Sequence, residues 1–335
     1  MKIPAFTLFP FIVGATLAAT VDSSLPPYQA HAVSLSKEAT YVSRDGAVRI
    51  TGAEHAGMMI AGFNELFQRT HPGFKFAVAL KGTTTGMPAL THGVTLFAPM
   101  GREINGVELV PYAKIVGQDP VEIHVAHDSN TPGKLATSLA VYVNRSNPLD
   151  QLTMDQVARI FGTGLPNGDL TAWSQLGMKG EWSKLAIHPY ATPEHSGFGD
   201  YMQKHVLSGH RLSAACEQFG NTEEIIKRVA GDAAAIGFAA IGVTNPDVKR
   251  VALSAKADGT YSLGSAEDIV AGKYPLGRFL YFYVRRVPGQ PVDPVVKEYF
   301  RLILSQEGQA IIAGEENGYI PLTATEAATE LAKLD

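Results

Sequence analysis

The chain has 335 residues, a length typical of about two compact domains. Its formal net charge of −4 and the lack of a basic stripe argue against a nucleic-acid-binding protein. The single cysteine, Cys216, excludes an intramolecular disulfide and any metal site built from several cysteines.

The N-terminus has the pattern of an export signal. An apolar run over residues 6–19 is too short to cross a bilayer as a helix. Small-x-small cleavage sites occur near Ala19 and, later, at Ala32. The sequence predicts a signal peptide over residues 1–32 and a mature protein in the periplasm or the medium; a buried N-terminal helix is the alternative.

Strand-like and helix-like segments alternate along the rest of the chain, which predicts an α/β fold with mostly parallel strands. The predicted strands are residues 48–50, 74–80, 96–100, 139–143, 184–189 and 235–240. The predicted helices are residues 58–69, 87–91, 154–161, 199–206, 225–230, 294–304 and 308–313. Thr153 is the expected N-cap of the helix that follows it.

The order of these elements predicts two lobes. Residues 44–141 and 242–335 are expected to form the first lobe, and residues 142–241 the second. The chain is expected to cross between the lobes near Val141 and near Ala240.

Three loops each lead from a predicted strand into a predicted helix, at residues 52–57, 82–86 and 195–199. Such loops bind anions, because the first-turn amides of a helix are unpaired and its dipole is positive at that end. Successive amides in a Gly-rich turn can add a concave anion-binding nest. The sequence therefore provides three places where an oxyanion could be bound without a metal.

Short segments in a fixed order carry a family resemblance. They are residues 81–90 (a Gly- and Thr-rich loop), 98–102 (similar to "PMSR"), 139–148, 152–161, 196–197 (similar to the start of "SGT"), 232–243, 274–283, 304–309 and 318–322. Together they resemble the periplasmic phosphate-binding proteins that feed ABC transporters, in the PstS-like group. The resemblance implies a type II periplasmic-binding-protein fold. Each lobe would be a mostly parallel sheet flanked by helices, and two strands would cross between the lobes.

In that family's arrangement the three loops face the cleft between the lobes. The ligand-binding residues this implies are Glu54, His55, Thr83, Thr84, Thr85, Arg102, Ser196 and Gly197. Arg102 offers a two-pronged donor suited to a tetrahedral oxyanion and is expected to be the principal charged contact. Glu54 could accept the proton of a monohydrogen phosphate. Alternatively, the threonines only cap a turn, and Arg102 pairs with Glu103 or Glu108.

The chain departs from the family pattern at several positions, which leaves the ligand's identity open. Glu54 and His55 stand where small hydroxyl residues or an Asp-Thr pair are usual; Gly101 replaces a serine, Thr192 an arginine and Phe198 a threonine. Phe198 favours an apolar or aromatic ligand part if it faces the cleft. If it turns into the second lobe, it is ordinary packing.

The resemblance implies a non-enzymatic, monomeric binding protein without a cofactor. It would close on inorganic phosphate or a related oxyanion and deliver it to the membrane subunits of an ABC transporter. Two alternatives remain: the same fold binding a phosphorylated or carboxylated organic molecule, and a secreted interaction protein with weakened ligand binding.

Two further classes of function have weak support in the sequence. His124 and His127, or His55 and His195, could contribute to a metal site, but no third ligand is suitably spaced, and no metal is expected. His195 adjoins Ser196, the pair of residue types that a serine hydrolase uses, but the Gly-x-Ser-x-Gly elbow is absent and no catalytic residue is expected.

Overall fold

The computed structural model describes residues 20–131 and 137–335. The strands are β1 (Ala47–Gly52), β2 (Lys75–Leu80), β3 (Ala98–Met100), β4 (Val121–His127), β5 (Leu139–Asn144), β6 (Gln151–Thr153), β7 (His188–Ala191), β8 (Glu217–Gln218), β9 (Ala235–Ala240), β10 (Val248–Arg250), β11 (Ala252–Ser254) and β12 (Phe279–Val284). The helices are α1 (Gly57–Thr70), α2 (Gly86–Thr91), α3 (Gly106–Val116), α4 (Met154–Phe161), α5 (Gly197–His205), α6 (Thr222–Gly231), α7 (Ala266–Val270), α8 (Pro294–Ile303), α9 (Gln306–Ala313) and α10 (Ala324–Ala332).

The first lobe is built on two small sheets. β1 and β2 pair in parallel, and β12 lies between β3 and β4, antiparallel to both. Helices α1 and α8 cover these strands and contribute Phe67 and Tyr299 to one apolar core. Within that core, Phe97 stacks on Phe282 with ring centroids 5.0 Å apart. Two of the candidate loops begin in this lobe, at the ends of β1 and β2.

The second lobe is built on a five-stranded sheet in the order β10-β5-β9-β7-β8, beside a parallel pair of β6 and β11. Its core includes the fully buried Trp173 and the apolar strands β5 and β9. The predicted division assigned residues 242–276 to the first lobe. In the structure β10, β11, Tyr274 and Leu276 pack in the core of the second lobe.

The predicted α/β fold class is present, with sheets of mixed direction. β7 runs parallel to β8 and β9, whereas β5 runs antiparallel to β9 and β10. β5 and β9 are therefore neighbours within one lobe, and neither carries the chain between lobes near Val141 or Ala240. The first lobe ends with β4 and the second begins with β5, and the chain returns to the first lobe at residues 277–278. Asp128 lies beside that return, and its N donates to the Arg278 carbonyl at 2.8 Å.

Most predicted elements are present, and the exceptions have local causes. Thr153 caps α4 as predicted, with its Oγ1 accepting from Gln156 N at 3.2 Å. The strand predicted at residues 184–189 is displaced, because Gly180–Lys184 forms a short 3-10 helix and β7 begins at His188. The sequence pattern did not identify α3, β4, β12 or α10.

The segment before β1 packs on the first lobe. Leu25 is 3% exposed in the core of that lobe, and Tyr28 Oη donates to Glu298 at 2.8 Å. The Pro26 carbonyl accepts from Gln306 N at 2.9 Å. The apolar run of the predicted signal peptide lies outside the described residues. Among the helices of the described ranges, none is long and apolar enough to cross a membrane.

Candidate functional site

A cleft of about 400 Å³ lies between the two lobes, beside the crossings. Its walls are His55, Thr83, Gly101 and Arg102 from the first lobe, Thr192, Ser196, Gly197, Phe198, Gly220, Asn221 and Thr222 from the second lobe, and Arg278 from a crossing. Five of the eight predicted ligand-binding residues therefore border one cavity. The other three, Glu54, Thr84 and Thr85, are not part of its walls.

Two helix N-termini open on the second-lobe side of the cleft. Ser196 caps α5: its Oγ accepts from Gly199 N at 3.0 Å and donates to the Pro193 carbonyl at 2.6 Å. Asn221 caps α6 by accepting from Glu224 N at 2.8 Å. The remaining first-turn amides have no acceptor within their helices, and both helix dipoles are positive at these ends. This wall therefore favours an anion.

On the first-lobe side, the ring of His55 lies against Gly101. A Cβ built at Gly101 would lie 2.2 Å from His55 Cε1, so a side chain at position 101 cannot share that space with the ring. His55 and Gly101, which both depart from the family pattern, are thus in direct contact. Thr83 joins the same group, because its Oγ1 accepts from Gly101 N at 3.2 Å.

The three predicted residues outside the cavity have other surroundings. Glu54 is exposed, and a Cβ built at Gly82 would lie 3.8 Å from its Oε2. Thr84 is also exposed and borders a neighbouring cavity. Thr85 Oγ1 donates to the Gly82 carbonyl at 2.8 Å, which is the turn-capping role considered for the threonines.

Arg102 borders the cleft while its guanidinium is held by Glu108. Nη1 and Nη2 donate to the two carboxylate oxygens at 2.8 and 2.9 Å, and Nη1 also donates to the Glu103 carbonyl. Burial opposes the charge of Arg102, but the hydrogen bond and charge of Glu108 outweigh it and raise the pKa. Arg102 therefore forms the ion pair with Glu108 that the sequence offered as an alternative. Its contact with a ligand stays a prediction.

Arg278 is a cation in the cleft that the sequence reasoning missed. It is 3% exposed, with Nη2 donating to the Gly101 carbonyl at 3.1 Å and Nη1 to the Thr137 carbonyl at 3.2 Å. Its guanidinium carbon lies 5.2 Å from the ring centroid of Phe198. Phe198 thus reaches from the second lobe to a cation at the crossing. The only signal in the sequence was a single charge within the otherwise apolar segment 274–283.

Three polar atoms of the wall residues are buried without a hydrogen-bond partner in the described part of the chain. They are His55 Nε2, Thr192 Oγ1 and Arg278 Nε. Leaving such a group unpaired costs roughly 1–3 kcal/mol, and more when it is charged. They come from the first lobe, the second lobe and a crossing, and all three atoms are buried behind the surface of the cleft.

The wall residues carry positive charge and no carboxylate. Of the described side chains that border the cleft, Arg102 and Arg278 are cationic, and none is Asp or Glu. Burial lowers the pKa of His55; the Glu54 carboxylate opposes that shift, and Arg278 adds to it. The imidazole is therefore neutral at neutral pH, and the charged wall residues are the two arginines, each of which also faces a carboxylate outside the wall, Glu108 or Asp128.

The candidate metal and hydrolase residues have structural contacts instead. His124 lies between Glu122 and Glu330, at 3.1 and 3.2 Å, and no group of three potential ligands in the described residues could hold a metal ion. The Ser196 hydroxyl is engaged in capping α5, and His195 beside it is exposed.

Comparison with known proteins decides the family. The PBP superfamily domain matches residues 39–307. The phosphate-binding protein PstS of Pseudomonas aeruginosa is 31% identical over 327 residues, covering 96% of this chain and 94% of the relative. The chain belongs to the PstS-like family of phosphate-binding proteins. A second relative, protein SphX of Synechococcus elongatus, is 26% identical over 313 residues, which are 91% of this chain and 83% of the relative.

Solved structures support the fold of this PstS-like protein. PstS of Borrelia burgdorferi superposes with a TM-score of 0.56 at 16% identity, over 82% of this chain and 98% of the other. An ABC-type phosphate transport receptor of Vibrio cholerae gives 0.55 at 22% identity, over 81% and 98%. The periplasmic-binding-protein fold is confirmed. The relatives are binding proteins, which confirms the prediction of a binding protein rather than an enzyme.

Proposed function

We propose that this PstS-like protein is exported, captures phosphate or a related tetrahedral oxyanion in the cleft, and presents it to the membrane subunits of an ABC transporter. Support for the transport role comes from the relatives, which include a phosphate-binding PstS and an ABC-type phosphate transport receptor. The proposed contacts are Thr83, Gly197 and the two arginines of the wall. Ser196, whose hydroxyl donates to the Pro193 carbonyl, positions this loop as the cap of α5.

The single observation that carries the ligand class is the set of hydrogen-bond donors that borders one cleft from both lobes. Two arginines and two helix N-termini border it, and none of its described wall residues is Asp or Glu. Ligand contacts from both lobes stabilise the closed arrangement over an open one, which is the mechanism by which such a protein captures its ligand.

A second candidate ligand is an organic molecule that carries a phosphate or carboxylate group. An apolar cavity of about 480 Å³ lies between α2 and α3 and shares Arg102 with the cleft. Its walls include Met87, Val107 and Ile115, and the last two are 84% and 55% exposed. An anionic head in the cleft could therefore place an apolar part against this second cavity.

A thermal-shift screen distinguishes the two candidates. A ligand that binds only the folded state raises the melting temperature by mass action. Phosphate and arsenate are expected to raise it more than equal concentrations of phosphorylated metabolites or organic carboxylates. A larger shift with an organic phosphate would favour the second candidate, and no shift with any anion would contradict both.

A further inference from the structure

Four polar side chains form a patch on one face of the β4–β12 strand pair. Glu122 and His124 of β4 lie opposite Tyr283 and Tyr281 of β12 in the register of the two strands. Residues two apart in a strand point to the same side, so the four side chains share one face. The intervening residues belong to the apolar core of the first lobe. None of the four residues of this β4–β12 patch is among the described residues that border the cleft.

Both ring nitrogens of His124 face a carboxylate. Nε2 lies 3.1 Å from Glu122 Oε1, and Nδ1 lies 3.2 Å from Glu330 Oε1 of α10. A neutral imidazole has one N–H and donates to only one of these oxygens, whereas an imidazolium donates to both. The geometry therefore fits a protonated ring. Burial lowers the pKa of His124, but the hydrogen bonds with the two carboxylates outweigh burial and raise the pKa above its ordinary value.

The other ionisable groups around the ring come from α10 and β12. Lys333 Nζ donates to Glu330 Oε2 at 2.6 Å and to the Glu122 carbonyl at 3.1 Å, and its charge opposes the proton on the ring. Tyr281 presents the edge of its ring to His124, with centroids 5.3 Å apart. Burial raises the pKa of both patch tyrosines, so they stay neutral where a histidine titrates. His124 is therefore the member of the patch whose charge changes near neutral pH.

The two tyrosines of the patch hold the segment that follows β3. Tyr283 Oη accepts from Ile104 N at 2.8 Å and donates to the patch carboxylate. Tyr281 Oη donates to Glu103 Oε1 at 3.2 Å. In this segment Arg102 borders the cleft and Glu103 bridges the lobes, so both lie directly beside the anchored Ile104. The patch is thus connected by hydrogen bonds to one wall of the cleft.

We propose that the proton on His124 sets how firmly residues 102–104 are held at the cleft, with Tyr283 as the positioning residue between them. A protonated ring fixes Glu122, which accepts from the Tyr283 hydroxyl and leaves its oxygen free to accept from Ile104 N. When the proton is lost, one of the two carboxylates faces a lone pair instead of a donor, and the network must rearrange. Phosphate is therefore retained longer while the ring is protonated. This consequence for the ligand rests on the proposed function.

NMR titration of the ligand-free protein tests the connection itself. The ring of His124 should titrate with a midpoint above 6.5, and the amide signal of Ile104 should shift with the same midpoint. His92→Gln is the control, because that histidine is exposed, and it should leave both titrations unchanged. The Ile104 shift should be absent in His124→Gln and in Tyr283→Phe. An Ile104 amide that does not respond while His124 titrates would overturn the proposal.

Stopped-flow measurement of phosphate dissociation from pH 6 to 9 tests the consequence for the ligand. Phosphate itself titrates in this range, so each variant is compared with the wild type at the same pH. Tyr283→Phe and His124→Gln should each speed dissociation by about three- to tenfold at pH 6. His124→Gln should approach the wild-type rate at pH 9, where the wild-type ring is neutral. Tyr112→Phe is the matched control, because its buried hydroxyl also accepts one backbone N–H, from Arg286 at 3.3 Å.

Each outcome of the kinetic experiment bears on a different statement. Wild-type rates in both Tyr283→Phe and His124→Gln at pH 6 would overturn the role of the patch and leave the proposed function intact. A rate ratio for His124→Gln that stays constant from pH 6 to 9 would overturn the role of the proton. A wild type that binds no phosphate would overturn the proposed function, and the Ile104 signal of the ligand-free protein would then decide on the patch alone. Melting temperatures confirm that each variant folds.

Discussion

Asp128 and Arg278 face each other across the two crossings between the lobes. Arg278 Nη1 lies 3.5 Å from Asp128 Oδ2, and the side chains are 3% and 1% exposed. Neither carboxylate oxygen of Asp128 accepts a hydrogen bond within the described residues. The positive charge of Arg278 is therefore the main compensation for the negative charge of Asp128. The Asp128 carboxylate is therefore only partly compensated, and it lies beside Arg278, one of the two cations that border the cleft.

The first prediction concerns the pH dependence of stability. Burial raises the pKa of Asp128 from 3.8 to about 6, although Arg278 and His127 oppose it. A raised carboxyl pKa favours the folded state below the unfolded pKa, and that contribution is lost as pH rises through about 6. Asp128→Asn should therefore gain stability relative to the wild type between pH 4 and 7, by at most about 3 kcal/mol.

Urea unfolding of both proteins across that pH range measures this difference. Asp258→Asn serves as the control, because its carboxylate is 82% exposed. Stability curves of wild type and Asp128→Asn that stay parallel from pH 4 to 7 would show that the buried carboxyl does not titrate as stated.

The second prediction concerns Arg102, whose contact with a ligand is proposed and whose pairing with Glu108 is observed. Arg102→Lys keeps the charge but loses the two-pronged geometry, so phosphate affinity should fall by more than about tenfold. Glu108→Gln removes the compensating charge and should leave phosphate affinity unchanged or slightly higher. Calorimetry of both variants checks the signs; normal affinity in Arg102→Lys would remove Arg102 from the binding site.

The third prediction concerns a bridge between the lobes outside the cleft. Glu103 of the first lobe contacts Lys204 and His205 of α5, and His205 Nε2 lies 2.6 Å from Glu103 Oε1. Because this contact joins residues of different lobes, we expect it to break when the lobes separate. Glu103→Gln should therefore speed phosphate dissociation by about two- to tenfold with little effect on association.

Stopped-flow measurement of both rate constants, repeated at high salt, tests the bridge. The wild-type dissociation rate should rise with salt, because half-exposed ion pairs are screened, and the variant should respond less. A change confined to the association rate would mean that Glu103 steers the ligand rather than holding the lobes together.

The sequence predicted the elements that local patterns define. The buried strand β9 and the capped helix α4 are examples, since apolar runs and capping residues are local signals. Helix α3 was missed although Asn105 and Glu108 form a capping box, and the helix continues through Pro111. The helix forms with this proline in its second turn, after the capping box has fixed its N-terminus.

The site was predictable only in part, because several of its contacts join distant positions. Arg278 reaches the Gly101 carbonyl across 177 residues, and no spacing in the sequence reveals that contact. The contact between Gly101 and the ring of His55 likewise joins two distant parts of the chain, the residue after β3 and the turn after β1. The loops at Ser196 and Thr83 were found because helix-opening residues have recognisable types.

The last prediction concerns the mature N-terminus, for which the sequence offered cleavage near Ala19 or after Ala32. Glu298 has a fully buried side chain, and it accepts hydrogen bonds from Tyr28 Oη and His31 N. Cleavage after Ala32 would remove both donors and the buried Leu25. The structure thus favours the earlier site.

Intact-mass analysis of the exported protein should therefore show an N-terminus near Thr20. A chain that begins at Val33 should melt at least about 2 °C below one that begins at Thr20, because burial of one leucine alone contributes about 1.5–3 kcal/mol. Tyr28→Phe in the longer chain isolates the hydroxyl and should account for only part of the difference. Equal melting temperatures for the two chains would show that residues 20–32 add no stability, and the later cleavage site would then be the better prediction.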